Sequence, residues 1–144
     1  MVLTPHPETP MDNVNYAYTK DLGDIDFDEA VDQVTAALKE EGFGVLTEID
    51  VKETFKKKEM DDDFRDYKIL GACNPQLAYQ GIQAEPQLGA LLPCNVVVQR
   101  AEDGTAIQVG LLKPSTMFQM VDNPDMNEVA DDADARLQRV LESL

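Results

Sequence analysis

The chain is short of the residue types on which much catalysis and metal binding depend. Its 144 residues include no tryptophan, one histidine, two cysteines and twelve lysines and arginines. The histidine, His6, falls in the proline-bearing opening "MVLTPHPETPMD". That position removes histidine triads, paired-histidine zinc sites and imidazole general bases from the expected folded body. "GFG" at 42–44 leads into a strand rather than a helix, so it lacks the helix amides that cradle phosphates. The longest apolar stretch, residues 88–98, is broken by Gly89, Pro93 and Asn95 and is too short to cross a bilayer. No basic region precedes an apolar segment at the amino terminus. Neither a secretory signal nor a membrane span is expected, and a cytoplasmic location is the default reading.

Bases are also outnumbered: 28 acids face 12 bases, a formal net charge of -16. Such a surface repels phosphate backbones and anionic headgroups, whereas nucleic-acid binding needs a basic stripe. The one basic island, Lys52, Lys56, Lys57 and Lys58, is interleaved with Glu53 and Glu59 and followed by three aspartates at 61–63. No nucleic-acid or membrane partner is expected. The acidic surplus reads as adaptation to a high-salt (halophilic) cytoplasm, where screening removes self-repulsion. With so many carboxylates, a catalytic pair cannot be told from chance spacing.

What is present has the grammar of one α+β domain. Residues 1–12 hold three prolines and no periodicity and read as a tail, which leaves 13–144 for the domain. A strand from Val14 leads to an amphipathic helix in which Phe27, Ala30, Val31, Val34, Ala37 and Leu38 share one face. Asp26 with Glu29 can cap its start, and Gly42 with Phe43 can end it. "FGVLTEI" alternates Phe43, Val45, Thr47 and Ile49 on one side of a second strand. A short helix follows Asp50, a third strand "YKILGAC" follows the acidic loop, and Asn74-Pro75 opens a helix carrying Leu77, Ala78 and Ile82. "CNVVVQRAE", "DG" and "TAIQVGLLK" form a hairpin. A two-residue turn there pairs Arg100 with Ile107, Val98 with Val109, Val96 with Leu111 and Cys94 with Lys113. After an irregular stretch, Asn123-Pro124 opens a last helix with Val129, Ala133, Leu137, Val140 and Leu144 on one side. The expected architecture is a single mixed β-sheet with helices covering a face, in the order β-α-β-α-β-α-β-β-α.

The only cysteines sit in "ACNPQLAY" and "PCNVVV". With Asn74 as cap, Cys73 lies just outside a helix amino terminus, where free amides favour a thiolate. Cys94 opposite Lys113 would feel a cation as well. Such thiols could bind a soft metal or exchange electrons as a disulfide. Equally, a free cysteine is commonly a small buried hydrophobe, and two that are distant in sequence make a weak metal signature. Met117, Phe118 and Met120 could line an adaptable pocket or simply cover a sheet edge. Tyr67 and Tyr79 could offer hydroxyls to a ligand.

Taken as an ordered string, "EEGFGVLTEIDVKETFKKK" followed by "YKILGACNPQLAYQGIQAEPQLGALLPCNVVVQ" resembles the prokaryotic domain-of-unknown-function family 302, with its TT1751-like fold. "GACNP", "AY" and "LLPCNV" match in order, and the likeness runs from about Tyr16 to the carboxyl end. The resemblance implies an α+β domain with a mixed sheet that forms homodimers, and no established activity or cofactor. The matching positions Cys73, Asn74, Pro75, Tyr79, Pro93, Cys94 and Asn95 fall at expected strand ends or helix starts. Together with Lys113 and Met117 they form the candidate ligand set, with Cys73 and Cys94 as candidate metal ligands. The leading expectation is a dimeric small-ligand or soft-metal binding module. A thiol-redox enzyme using the two cysteines and a purely structural or accessory dimer are the alternatives.

Overall fold

The fold rests on one antiparallel sheet whose two ends are tied by helix caps that the local sequence supplies. In the computed structural model, residues 14–144 are described. The tail at 1–12, with His6, lies outside the described residues. The strands are β1 (Ala17–Gly23), β2 (Gly44–Asp50), β3 (Tyr67–Cys73), β4 (Cys94–Arg100) and β5 (Ile107–Leu112). The helices are α1 (Phe27–Glu40), α2 (Val51–Lys57), α3 (Pro75–Ala84), α4 (Pro114–Met117) and α5 (Asn127–Glu142). The α+β class and the expected element order hold, with the four-residue α4 added after the hairpin.

Across the sheet the strands run β1-β5-β4-β3-β2, and all four ladders are antiparallel. A sheet of mixed direction was expected. The reason for the difference is the path of α1. It carries the chain from one edge of the sheet to the other, so β1 and β2 point the same way yet never pair. The connections through α2 and α3 each return the chain to an adjacent antiparallel strand.

Several local signals act as the sequence suggests. The Asp26 carboxylate accepts the Glu29 N–H at 3.0 Å, and that of Asp50 accepts the Glu53 N–H at 2.9 Å. Gly42 takes φ +85°, and Phe43 donates its N–H back to the Leu38 carbonyl at 2.9 Å. This closes α1 with a left-handed residue that glycine adopts without strain. The hairpin pairs Arg100 with Ile107, Val98 with Val109 and Val96 with Leu111. Its turn is wider than two residues. Gly104 donates to the Ala101 carbonyl at 2.8 Å, Ala101 donates to the Ala106 carbonyl at 2.7 Å, and the Asp103 carboxylate accepts from the Thr105 hydroxyl at 2.6 Å. Residues 102–105 therefore form the loop. The register survives because the loop gains one residue from each arm.

One face of the sheet carries the core. Leu70, Ala72, Val96, Val98, Ile107, Val109 and Leu111 meet Val34 and Leu38 of α1 and Leu137 and Val140 of α5. Each fully buried aliphatic side chain of this kind contributes about 1.5–3 kcal/mol. A second cluster, built on Leu77, Leu88, Phe118, Met126 and Val129, lies under α3, α4 and the short 3-10 turns. Two expectations fail in detail. A bulge in β2 between Val45 and Thr47 sends Thr47 and Ile49 to the face opposite Val45, because an inserted residue reverses the alternation. Ile82, expected on the inner side of α3, is exposed, and Gly81 is buried in its place against Leu88.

Candidate functional site

Strand β3 ends at Cys73 and β4 begins at Cys94, and the ladder between them pairs Ala72 with Cys94. The two cysteines are thus diagonal neighbours at one end of the sheet. Strict alternation would put their side chains on opposite faces. Cys73, however, is the last residue before the chain turns into α3, and both cysteines line one cavity. Asn74, buried beside them, caps α3 by accepting the Leu77 N–H on Oδ1 at 3.2 Å. Its amide donates toward the Glu41 carbonyl at 3.5 Å, where Arg136 Nη1 also donates at 3.1 Å. That junction ties the end of α1 to α3 and α5 and sets the position of Cys73.

The cavity has a volume of about 30 Å³. Its wall is mainly apolar, with Phe43 and Ala72 from the sheet side and Leu77, Leu88, Phe118 and Val129 from the second cluster. It lies where the two hydrophobic clusters meet and fail to interdigitate. Burial pushes the Cys94 thiol up to about 11, and the neighbouring Cys73 pushes it in the same direction. A depressed Cys94 with Lys113 as its cation was expected, and both parts are corrected. The β4–β5 ladder stops at Val96 and Leu111. Lys113 lies beyond the end of β5, where its ammonium stands 5.0 Å from the centre of the Tyr18 ring.

Of the sequence candidates, Cys73, Asn74, Pro93 and Cys94 line the cavity. Pro75 does not; it starts α3 at the first helical position. Tyr79 points outward and is 68% exposed. Asn95, one residue after Cys94, belongs to the other face of the sheet and lines a groove there with Tyr16, Tyr67, Val97, Gly110 and Leu112. Met117 packs against the second cluster, beside Phe118, without reaching the cavity wall. The sequence reading missed Phe43, Leu88 and Val129 as wall residues. Each reads as ordinary helix-stop or core material, and nothing local marks it as facing a void.

Among the described residues, no three His, Cys, Asp or Glu side chains converge on a common point. The site therefore offers two sulfur donors at a helix start rather than a tetrahedral set. On the sheet face opposite the core, the groove past Asn95 has a volume of about 330 Å³, and among the described residues Tyr16 and Ile49 on that face are 59% and 49% exposed. No helix among the described residues is long and apolar enough to cross a membrane.

The chain is similar in fold and sequence to a solved structure, an uncharacterised conserved DUF302 protein from Bacillus stearothermophilus. The two share 33% identity and a TM-score of 0.80, over 90% of this chain and 98% of that one. No curated protein matches this chain. The sequence profile of the family described as "Domain of unknown function DUF302" matches residues 18–144. A match over nearly the whole chain, together with a shared fold, makes this protein a member of the DUF302 family.

Proposed function

We propose that this protein is a homodimeric binding module whose Cys73–Cys94 pair holds one soft monovalent ion, Cu(I) having the chemistry that fits best. The observation that carries the reading is that both thiols line a single small apolar cavity. Organic ligands occupy pockets of about 300–1,000 Å³. A cavity of about 30 Å³ is an order of magnitude smaller and favours a single ion over a small molecule. Two thiolates in line satisfy Cu(I), whereas zinc asks for four donors. Binding displaces the thiol protons, so the burial that keeps Cys94 neutral does not bar it from serving as a ligand. A bis-thiolate Cu(I) centre carries one net negative charge. The amino terminus of the ten-residue α3 beside Cys73 offsets that charge.

The dimeric part of the reading is supported by the sheet face opposite the core, which holds a groove lined by Tyr16, Val97 and Leu112 and, among the described residues, leaves Tyr16 and Ile49 substantially exposed. The reading carries the expectation of a reducing, cytoplasmic setting in which both thiols stay free.

The test is an anaerobic titration of reduced, metal-free protein with Cu(I) against a chromogenic Cu(I) chelator, with light scattering for the subunit count. One Cu(I) per chain in the wild type, lost in Cys73→Ser and Cys94→Ser, is the expected result. Failure of the wild type to compete with the chelator, or equal uptake by a double Cys→Ala variant, overturns it.

A further inference from the structure

The two thiols differ in a way that ion binding does not require: Cys94 is sealed, whereas Cys73 is partly open to solvent. The ladder register, with Ala72 opposite Cys94, also sets their Cα separation in the range that a disulfide spans. Directly opposed residues of an antiparallel pair stand about 5 Å apart at Cα, and one residue of offset along the strand adds a rise of about 3.4 Å at right angles, which gives roughly 6 Å. Disulfides span Cα separations of about 4.4–6.8 Å. The cavity that both side chains line has room for one added oxygen atom.

From this arrangement we infer that the pair is a hydroperoxide-responsive redox couple, with Cys73 as the thiol attacked first and Cys94 as the resolving thiol. In the first step the Cys73 sulfur displaces alkoxide or hydroxide from a hydroperoxide. The O–O bond breaks, an S–O bond forms, the sulfur is oxidised by two electrons, and the thiol proton leaves with the alcohol or water. In the second step the Cys94 sulfur attacks the Cys73 sulfenic acid. The S–O bond breaks, the S–S bond forms, and the hydroxyl leaves as water with the Cys94 proton. A small dithiol reverses the change by two exchange steps, restoring both thiols and leaving its own disulfide. Because Cys94 is buried, condensation is the slower step and the sulfenic acid has a measurable lifetime. The disulfide also removes both sulfur donors. This last consequence rests on the ion-binding reading; the redox chemistry does not.

The experiment treats reduced, metal-free full-length protein with one equivalent of hydrogen peroxide and follows intact mass and peptide mapping after alkylation. The wild type is expected to lose two hydrogens in mass, with Cys73 joined to Cys94, and a dione probe added early is expected to trap Cys73. Cys94→Ser is expected to stop with one added oxygen on Cys73. Cys73→Ser is expected to keep Cys94 reduced until the protein is unfolded. Two free thiols in the folded wild type after excess peroxide, a disulfide only between chains, or oxidation of Cys94 before Cys73 each overturn the proposal. These readouts on the wild type do not depend on whether a variant folds. Cu(I) uptake by the reduced protein is measured separately. A disulfide in a protein that never takes Cu(I) removes the ion reading alone, and Cu(I) uptake with peroxide-inert thiols removes the redox proposal alone.

Discussion

Truncating Asn74 to alanine tests whether the site is held by the cap of α3. Asn74 Oδ1 is the acceptor for the Leu77 N–H at 3.2 Å, and that bond is buried. Loss of an asparagine cap costs about 1 kcal/mol. Leaving a buried amide without an acceptor costs about 1–3 kcal/mol, a range that overlaps the first because both describe the same N–H. The long contact from the Asn74 amide to the Glu41 carbonyl adds little, since Arg136 already donates there at 3.1 Å. Taken once, the expected loss is about 2 kcal/mol. At roughly 2–4 °C per kcal/mol for a chain of this size, Tm falls by about 4–8 °C. Urea unfolding followed by far-ultraviolet circular dichroism measures it, with the midpoint lowered and the slope unchanged. Asn74→Ser restores a side-chain acceptor and is expected to recover at least half of the loss. A change below about 0.3 kcal/mol in Asn74→Ala, or a serine variant no better than the alanine one, would refute the capping argument.

Gly42→Ala forces a Cβ into a left-handed residue at φ +85° and brings it within 2.9 Å of the Asn74 amide nitrogen, so a loss of about 1–3 kcal/mol is expected in the same urea assay. An unchanged midpoint would show that the α1–α3 junction is looser than described. The Cys94 thiol, raised from 9.0 to about 11 by burial, stays protonated in the folded chain where the unfolded chain loses its proton. Stability of the metal-free protein therefore falls as pH rises from about 9 to about 11, by about 2–3 kcal/mol, and Cys94→Ala lacks that slope. Parallel pH curves for the two proteins would count against it. With a net charge of -16, Tm is expected to rise by several degrees between dilute buffer and molar potassium chloride, as screening relieves repulsion. A flat dependence would remove the reading of the surface as adapted to high salt.

Much of the fold was legible because its signals are short-range. Asp26, Asp50 and Asn74 each accept an N–H three residues ahead, and a cap needs only those four residues to be recognised. The hairpin register followed from Asp103-Gly104 even though the turn is wider, because the loop takes one residue from each arm. The β2 bulge was not legible: "GVLTEI" alternates the same way with or without it, and the pairing with β3 decides where the extra residue goes. Lys113 was misplaced for a related reason. Extrapolating the ladder past Leu111 ignores that the Lys113 N–H is taken by the Tyr16 carbonyl at 2.8 Å, across the other edge of β5.

By itself the sequence determined the α+β class and the helix ends, since each depends on residue types or on spacings of a few positions. Tertiary structure alone decided that β1 joins β5 rather than β2, and that Asn95 faces away from the site. It alone brought Cys73 and Cys94 to one cavity. The reason is that these outcomes depend on which distant strands share hydrogen bonds and where two clusters of side chains meet. A pattern of alternating apolar residues is satisfied equally by several such pairings, and only packing the whole chain at once selects among them.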